Sequence, residues 1–239
     1  VVDVGPNPDG TGLVVVVNPG SADGRGRRVV DAIRTGLPAA EIIELDDTDD
    51  MATVFADVAA RAEILGVAGG DGTVACAAAP ALAADIPVAV FPAGTFNHFA
   101  RDIGCGTVDT TIDAIRSGSA SRVDAMWLND SRLILNTASI GAHPDFVRVR
   151  RRLQRRISRP LATAAAVLHV LRKDPHVRIE VEGRVLDASL FLVGNAKYLP
   201  SGFSSAQANH VDDGLLDVRI LDHDKRWATA RLIGALLTG

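Results

Sequence analysis

The chain has 239 residues, of which 47% are hydrophobic and only 4% aromatic, with a formal net charge of −4. That length allows one large or two modest domains with real cores, and the apolar share excludes a disordered chain. The negative balance argues against a general nucleic-acid binder, although the charge is unevenly spread.

Residues 1–12 carry two prolines and three glycines and read as a linker or a trimmed boundary. The first residue is Val1 rather than Met, so the chain reads as a fragment of a longer protein. From residue 13 to about 121, apolar runs (13–17, 41–45, 64–68, 88–91) alternate with helical patterns (25–35, 50–63, 73–84, 95–103, 108–117). This alternation predicts parallel βαβ units, a doubly wound α/β domain spanning 13–121. Ligands of such sheets sit outside the carboxyl ends of the strands, where Asn18, Asp71, Thr73, Thr95 and Asn97 fall.

Two glycine loops at that edge carry the most chemistry. Gly69-Gly70-Asp71-Gly72-Thr73 follows one apolar run and opens an alanine-rich stretch whose first break is Pro80. Gly70 and Gly72 tolerate positive φ and lack a Cβ, so backbone N–H groups can turn toward an anion. Thr73 adds a hydroxyl where the helix dipole favours negative charge. Asp71 would repel phosphate alone; with Mg²⁺ between them, the repulsion becomes a bridge. Gly94-Thr95-Phe96-Asn97-His98 repeats the pattern, with Thr95 expected as an N-cap and Asn97 in the first helical turn. Either loop alone also fits an ordinary strand-to-helix connection.

After about residue 122 the pattern becomes antiparallel. Runs 123–128 and 132–137 flank Asn129-Asp130, and 177–181 and 185–193 flank Glu182-Gly183. These are hairpin signals, and they predict a second, mainly antiparallel β domain with helices over 122–239, with a cleft between the two domains. A strand at 215–221 and a helix at 225–237 complete it. Between the hairpins, seven of the twelve residues from Arg148 are arginine, including Arg151, Arg152, Arg155 and Arg156. One reading is a solvated face paired with the acidic cluster Asp46, Asp47, Asp49 and Asp50. The other is attraction to an anionic membrane surface, with the apolar stretch 160–171 lying in the interface plane. A nucleic-acid role is the weaker reading, because no aromatic residues are interleaved to stack on bases.

Cys76 and Cys105 have neither metal-ligand spacing nor a disulfide framework and read as reduced, structural thiols. His143, His169, His176, His210 and His223 are scattered without ligand spacing. No stretch supplies the roughly eighteen apolar residues that span a bilayer.

Taken together, Gly-Gly-Asp-Gly-Thr at 69–73, Gly-Thr-x-Asn-x-Phe-Ala-Arg-Asp-Ile-Gly at 94–104, Asn18-Pro19-Gly20-Ser21 and Val211-Asp212-Asp213-Gly214-Leu215 resemble the diacylglycerol kinase catalytic domain family. That family includes bacterial lipid kinases and sphingosine kinases. The first signature is shared with NAD kinases and phosphofructokinases, and the Thr95-x-Asn97 loop separates them.

The resemblance implies a two-domain, NAD kinase/phosphofructokinase-like fold and an ATP-dependent lipid kinase, acting on a hydroxyl such as that of diacylglycerol. ATP would lie along Asn18, Ser21, Gly69, Gly70, Asp71, Gly72, Thr73, Gly94, Thr95 and Asn97, with Mg²⁺ held by Asp71. A structural Mg²⁺ would rest on Asp213 and the backbone carbonyls of His210 and Leu215, although Asp-Asp-Gly before a strand is also ordinary turn chemistry. The chain would act in the cytoplasm, peripheral to the inner face of the membrane. Such chains are sometimes fused to a membrane phosphatase-like domain. His98 stands where the family most often has Asp. The family's general base comes from a C-terminal Asp-Gly-Glu segment, which residues 214–239 do not match. The base is therefore missing from this chain; a parent protein continuing past Gly239 would supply it, and one ending there would bind without turnover. Two alternatives stay open: a domain that binds nucleotide or lipid without turnover, and an NAD kinase-like enzyme on a soluble substrate.

Overall fold

A computed structural model describes residues 2–19, 25–46, 48–173, 176–181, 183–195, 211–222 and 234. The chain divides into two compact units, Val1–Leu135 and Asn136–Gly239.

In the first unit the elements run β1 (Val2–Asp3), β2 (Leu13–Val17), α1 (Arg25–Gly36), β3 (Glu41–Glu44), α2 (Met51–Ala59), β4 (Ile64–Gly69), α3 (Asp71–Ala84) and β5 (Val88–Pro92). They continue as α4 (His98–Asp102), α5 (Val108–Ser117), β6 (Ser119–Ala120), β7 (Met126–Leu128) and β8 (Arg132–Ile134). Four parallel strands form the central sheet in the order β3-β2-β4-β5. All five residues of β2 are buried, as expected of a β-branched run covered on both faces. Val14 and Val16 join Phe55 and Val58 of α2 and Val74, Ala77 and Ala81 of α3. Val15 and Val17 face the other way, into Val29, Val30 and Ile33 of α1 and Ile112 of α5. The sheet is therefore doubly wound, as the alternating pattern predicts.

Four local expectations shift. α2 ends at Ala59 rather than near residue 63, because the Glu63 and Ile64 amides turn to the Gly12 carbonyl. α3 passes through Pro80, held by buried Ala77 and Ala81 on either side, and ends at left-handed Asp85. α4 starts at His98 with Asn97 as its N-cap, not at Thr95. Residues 2–12 are tied down rather than loose: Val4 and Asn7 donate amides to the Gly118 and Ile115 carbonyls, and Asp9 accepts from the Ala39 amide.

The hairpin β7–β8 turns through Asn129 and Asp130, both left-handed with φ of 51° and 52°, a region short polar side chains tolerate. Val123 and Leu135 pack on the α2–α3 core. The division therefore falls at 135/136, beyond the change of period at 121/122.

The second unit contains β9 (Thr137–Gly141), α6 (Ala142–Gln154), α7 (Arg159–Lys173), β10 (Val177–Val181), β11 (Arg184–Gly194) and β12 (Asp217–Asp222). Every described strand pair in it is antiparallel, as expected, and β11 pairs with β10, β9 and β12. The helices close over this sheet through Phe146, Ala166 and Val170, which meet Leu190 and Leu221. The helix expected at 225–237 lies outside the described residues, apart from Gly234. Among the described residues no helix is long and apolar enough to cross a membrane.

Candidate functional site

The two glycine loops converge at the carboxyl ends of β4 and β5. Ala93 and Gly94 both donate their amides to the Gly69 carbonyl, at 3.0 and 3.2 Å. A Cβ built on Gly94 would strike the Gly70 Cα and fall 2.8 Å from Asn97 Oδ1. Glycine is needed at 94 for close backbone approach. Positive φ is not the reason at Gly70, whose backbone is extended with φ −96°. A Cβ on Gly69 would fall 2.7 Å from Thr73 Oγ1, so this glycine lets α3 seat against its own strand. Around Gly72 such an atom would meet nothing within 4 Å. Among the described residues, the start of α3 therefore opens onto free space at Gly72.

Side chains lock this geometry. Asn18 Nδ2, just past β2, donates to Thr73 Oγ1 at 3.3 Å, and Thr73 is buried. Asp71 Oδ1 accepts the Phe99 amide at 3.0 Å, joining the first loop to the helix after the second. Asn97 is left-handed with φ 51°; its Oδ1 accepts the Gly94 amide and its Nδ2 donates to the Gly94 carbonyl, both at 2.9 Å. Asn97 thus shapes the loop. Thr95 is exposed. Phe96, 51% exposed, stacks on His98 with ring centroids 5.6 Å apart.

Asn18, Gly69, Gly70, Asp71, Gly72, Thr73, Gly94, Thr95 and Asn97 thus gather at one edge of the first unit. Ser21 and His210 lie outside the described residues. Asp213 Oδ1 accepts the Leu215 amide at 3.0 Å, a local turn. Among the described residues no cluster of three or more His, Cys, Asp or Glu side chains is placed to hold a metal. Asp46, Asp49 and Asp50 accept hydrogen bonds from nearby backbone, Asp50 capping α2. The backbone amide of Phe99 is the site group that sequence reasoning missed, since nothing in a residue's identity marks its N–H.

In the second unit, Arg148, Arg151, Arg152 and Arg155 line a cavity of about 580 Å³ with Ser139 and His143. Their spacing along α6 places them on one face, and Arg156 stands exposed just beyond the helix. His143 lies 3.2 Å from Ser139 Oγ. Burial, then the charge of Arg150, holds its imidazole below the ordinary range. Arg148 pairs with Asp145 at 2.9 Å.

This fold and its paired glycine loops define the NAD kinase-like class of two-unit α/β proteins. Within that class, the chain belongs to the diacylglycerol kinase catalytic domain family, whose model matches residues 12–128. The YegS C-terminal NAD kinase beta sandwich-like domain matches residues 141–239. A diacylglycerol kinase of Mycobacterium tuberculosis is 28% identical over 216 residues, covering 85% of this chain and 69% of its own. A Synechocystis protein described as uncharacterised is 26% identical over 179 residues, 71% of this chain. The chain spans only 40% of that relative's length. Two Bacillus anthracis str. Sterne crystal structures, the second described as a diacylglycerol kinase, superpose with TM-scores of 0.65 and 0.61. They cover 95% and 91% of this chain and 80% and 75% of their own, and at 22% identity the likeness speaks to the fold.

Proposed function

We propose that this chain is the core of an ATP- and Mg²⁺-dependent lipid kinase that transfers the γ-phosphoryl group to a lipid hydroxyl such as that of diacylglycerol. The observation that carries this reading is the meeting of the two loops, Gly94 against Gly70, with Asp71 fixed by the Phe99 amide. The phosphates lie over the open start of α3, where backbone amides and the helix dipole favour anions. Asn18 and Thr73 hold the strand-to-helix corner, and Asn97 keeps the second loop in shape. The Asp71 carboxylate offers oxygen donors, which suit a hard cation. Asp71 would hold Mg²⁺, which when bound supplies charge to neutralise the phosphate oxygens. Asp213 and Leu215, with His210, are the proposed place of the structural Mg²⁺. No residue is assigned as the proton acceptor.

The acceptor class follows from family membership and from the arginine face, which has no use on a soluble substrate. We place the protein at the inner face of the membrane, with Arg148, Arg151, Arg152, Arg155 and Arg156 against anionic headgroups. The test is calorimetric titration with a non-hydrolysable ATP analogue, with and without Mg²⁺, beside a radiolabel assay using diacylglycerol in mixed micelles. Mg²⁺-dependent nucleotide binding by this chain is expected, with labelled phosphatidate formed only by a protein that also supplies the general base; turnover of NAD without lipid phosphorylation would overturn the reading.

A further inference from the structure

The first unit holds a second concavity, about 530 Å³, beside the edge strand β5 and between α3, α4 and α5. Val74 and Ala78 of α3, Phe99 of α4, Ala114 of α5 and Leu133 of β8 form its walls. Among the described residues that line it, none carries a charge at neutral pH. Cys105 is the one ionisable group among the described lining residues, and burial pushes its thiol up, keeping it neutral. The hydroxyls of Thr110 and Thr111 already donate to backbone carbonyls, at 2.8 Å to Thr107 and 2.7 Å to Val90.

We propose that this cavity binds a single hydrocarbon chain, the acyl or alkyl tail of a lipid. Its volume lies within the roughly 300–1,000 Å³ of small-molecule sites. A charged ligand would lose its hydration and meet no opposite charge among the described lining residues, whose unengaged polar side chains are the hydroxyls of Ser119 and Ser121. A peptide would bring backbone N–H and C=O groups needing partners, and the Val90 carbonyl on the sheet edge already accepts Thr111. A hydrocarbon has no such need, and it recovers contacts that an empty apolar cavity forfeits. Phe99 lines the cavity while its amide holds Asp71, so an occupant bears on the residue that ties the two loops. The proposal does not depend on the kinase reading.

The two cysteines make a built-in test. Cys105 lines the cavity, whereas Cys76 is exposed outside it. Dodecan-1-ol, an uncharged probe, is added to the protein, and alkylation by N-ethylmaleimide is followed at each cysteine by peptide mass. At probe concentrations near ten times its Kd, Cys105 should react roughly tenfold more slowly while Cys76 is unchanged. Butan-1-ol should protect far less. The double variant Ala78→Leu, Ala114→Leu fills the space and should melt cooperatively yet show no protection. The proposal is overturned by equal protection of both cysteines, by none at Cys105, or by no gain with chain length. Protection persisting in the folded double variant would also overturn it, as would dodecanol-insensitive self-association that shields Cys105. If the double variant does not fold, the chain-length series on the unmodified protein decides.

Discussion

Asp71 Oδ1 accepts the Phe99 amide at 3.0 Å across a separation of 28 positions, so one carboxylate fixes the first glycine loop to the helix behind the second. Asn at this position keeps an oxygen for that hydrogen bond and loses only the charge. Asp71→Asn should therefore melt close to the parent protein while losing the Mg²⁺-dependent part of nucleotide affinity, about tenfold or more. Titration with and without Mg²⁺ reads this directly, and an unchanged Mg²⁺ response would remove Asp71 from the metal.

Gly94 and Gly72 separate packing from ligand space. At Gly94 a methyl group meets the backbone of Gly70, which cannot swing aside. Gly94→Ala should therefore destabilise by about 1–3 kcal/mol and weaken nucleotide binding together. At Gly72 nothing lies within 4 Å. Gly72→Ala should hold or raise stability by up to about 1 kcal/mol, since Ala favours the helix, while weakening nucleotide binding. Thermal melts beside titrations test the split; equal affinity for Gly72→Ala and the parent would place the phosphates elsewhere.

Much of this arrangement is legible in the chain, and what escapes has physical causes. The run Leu13–Val17 announces a strand buried on both faces because only hydrophobic, β-branched residues fill it. The glycine loops are legible because close backbone approach excludes a Cβ. The Phe99 amide is not, because every residue except proline has one. Asn97 reads as a ligand contact, and its ring of hydrogen bonds to Gly94 is not legible, because it depends on a left-handed φ that the sequence does not announce. Pro80 marks a break by local rule, yet packing at Ala77 and Ala81 carries α3 past it. The hairpin at 126–134 changes unit through Val123 and Leu135, long-range contacts that no local period records.

The arginine face predicts a salt-dependent surface. Among the described residues, no side-chain hydrogen bond or ion pair engages Arg151, Arg152, Arg155 or Arg156, and all four are exposed. Replacing all four by Ala should leave the melting temperature nearly unchanged. Each lost charge should weaken binding to phosphatidylserine vesicles by on the order of 1 kcal/mol at low salt, and less as ionic strength rises. Vesicle co-sedimentation across a salt series measures this; binding indifferent to both the substitutions and salt would make the face structural.

Asp145 ties α6 to α7 by pairing with Lys173 at 2.6 Å and with Arg148 at 2.9 Å. The Lys173 hydrogen bond chiefly, then the nearby positive charges, hold its carboxyl below the ordinary 3.8. A carboxylate with a depressed folded-state pKa stabilises the fold above its unfolded pKa. That contribution is lost as pH falls from about 3.8 through the lower folded value. Lys173 and Arg148 are 57% and 75% exposed, so screening limits the gain to about 1 kcal/mol or less. Asp145→Asn should thus lower stability slightly and evenly at pH 5–7, with the gap closing below about pH 3.8. Raising salt should narrow the gap at neutral pH as well. Urea melts of both proteins across this range test the sign: a gap that widens on acidification would mean that the pairing does not govern Asp145.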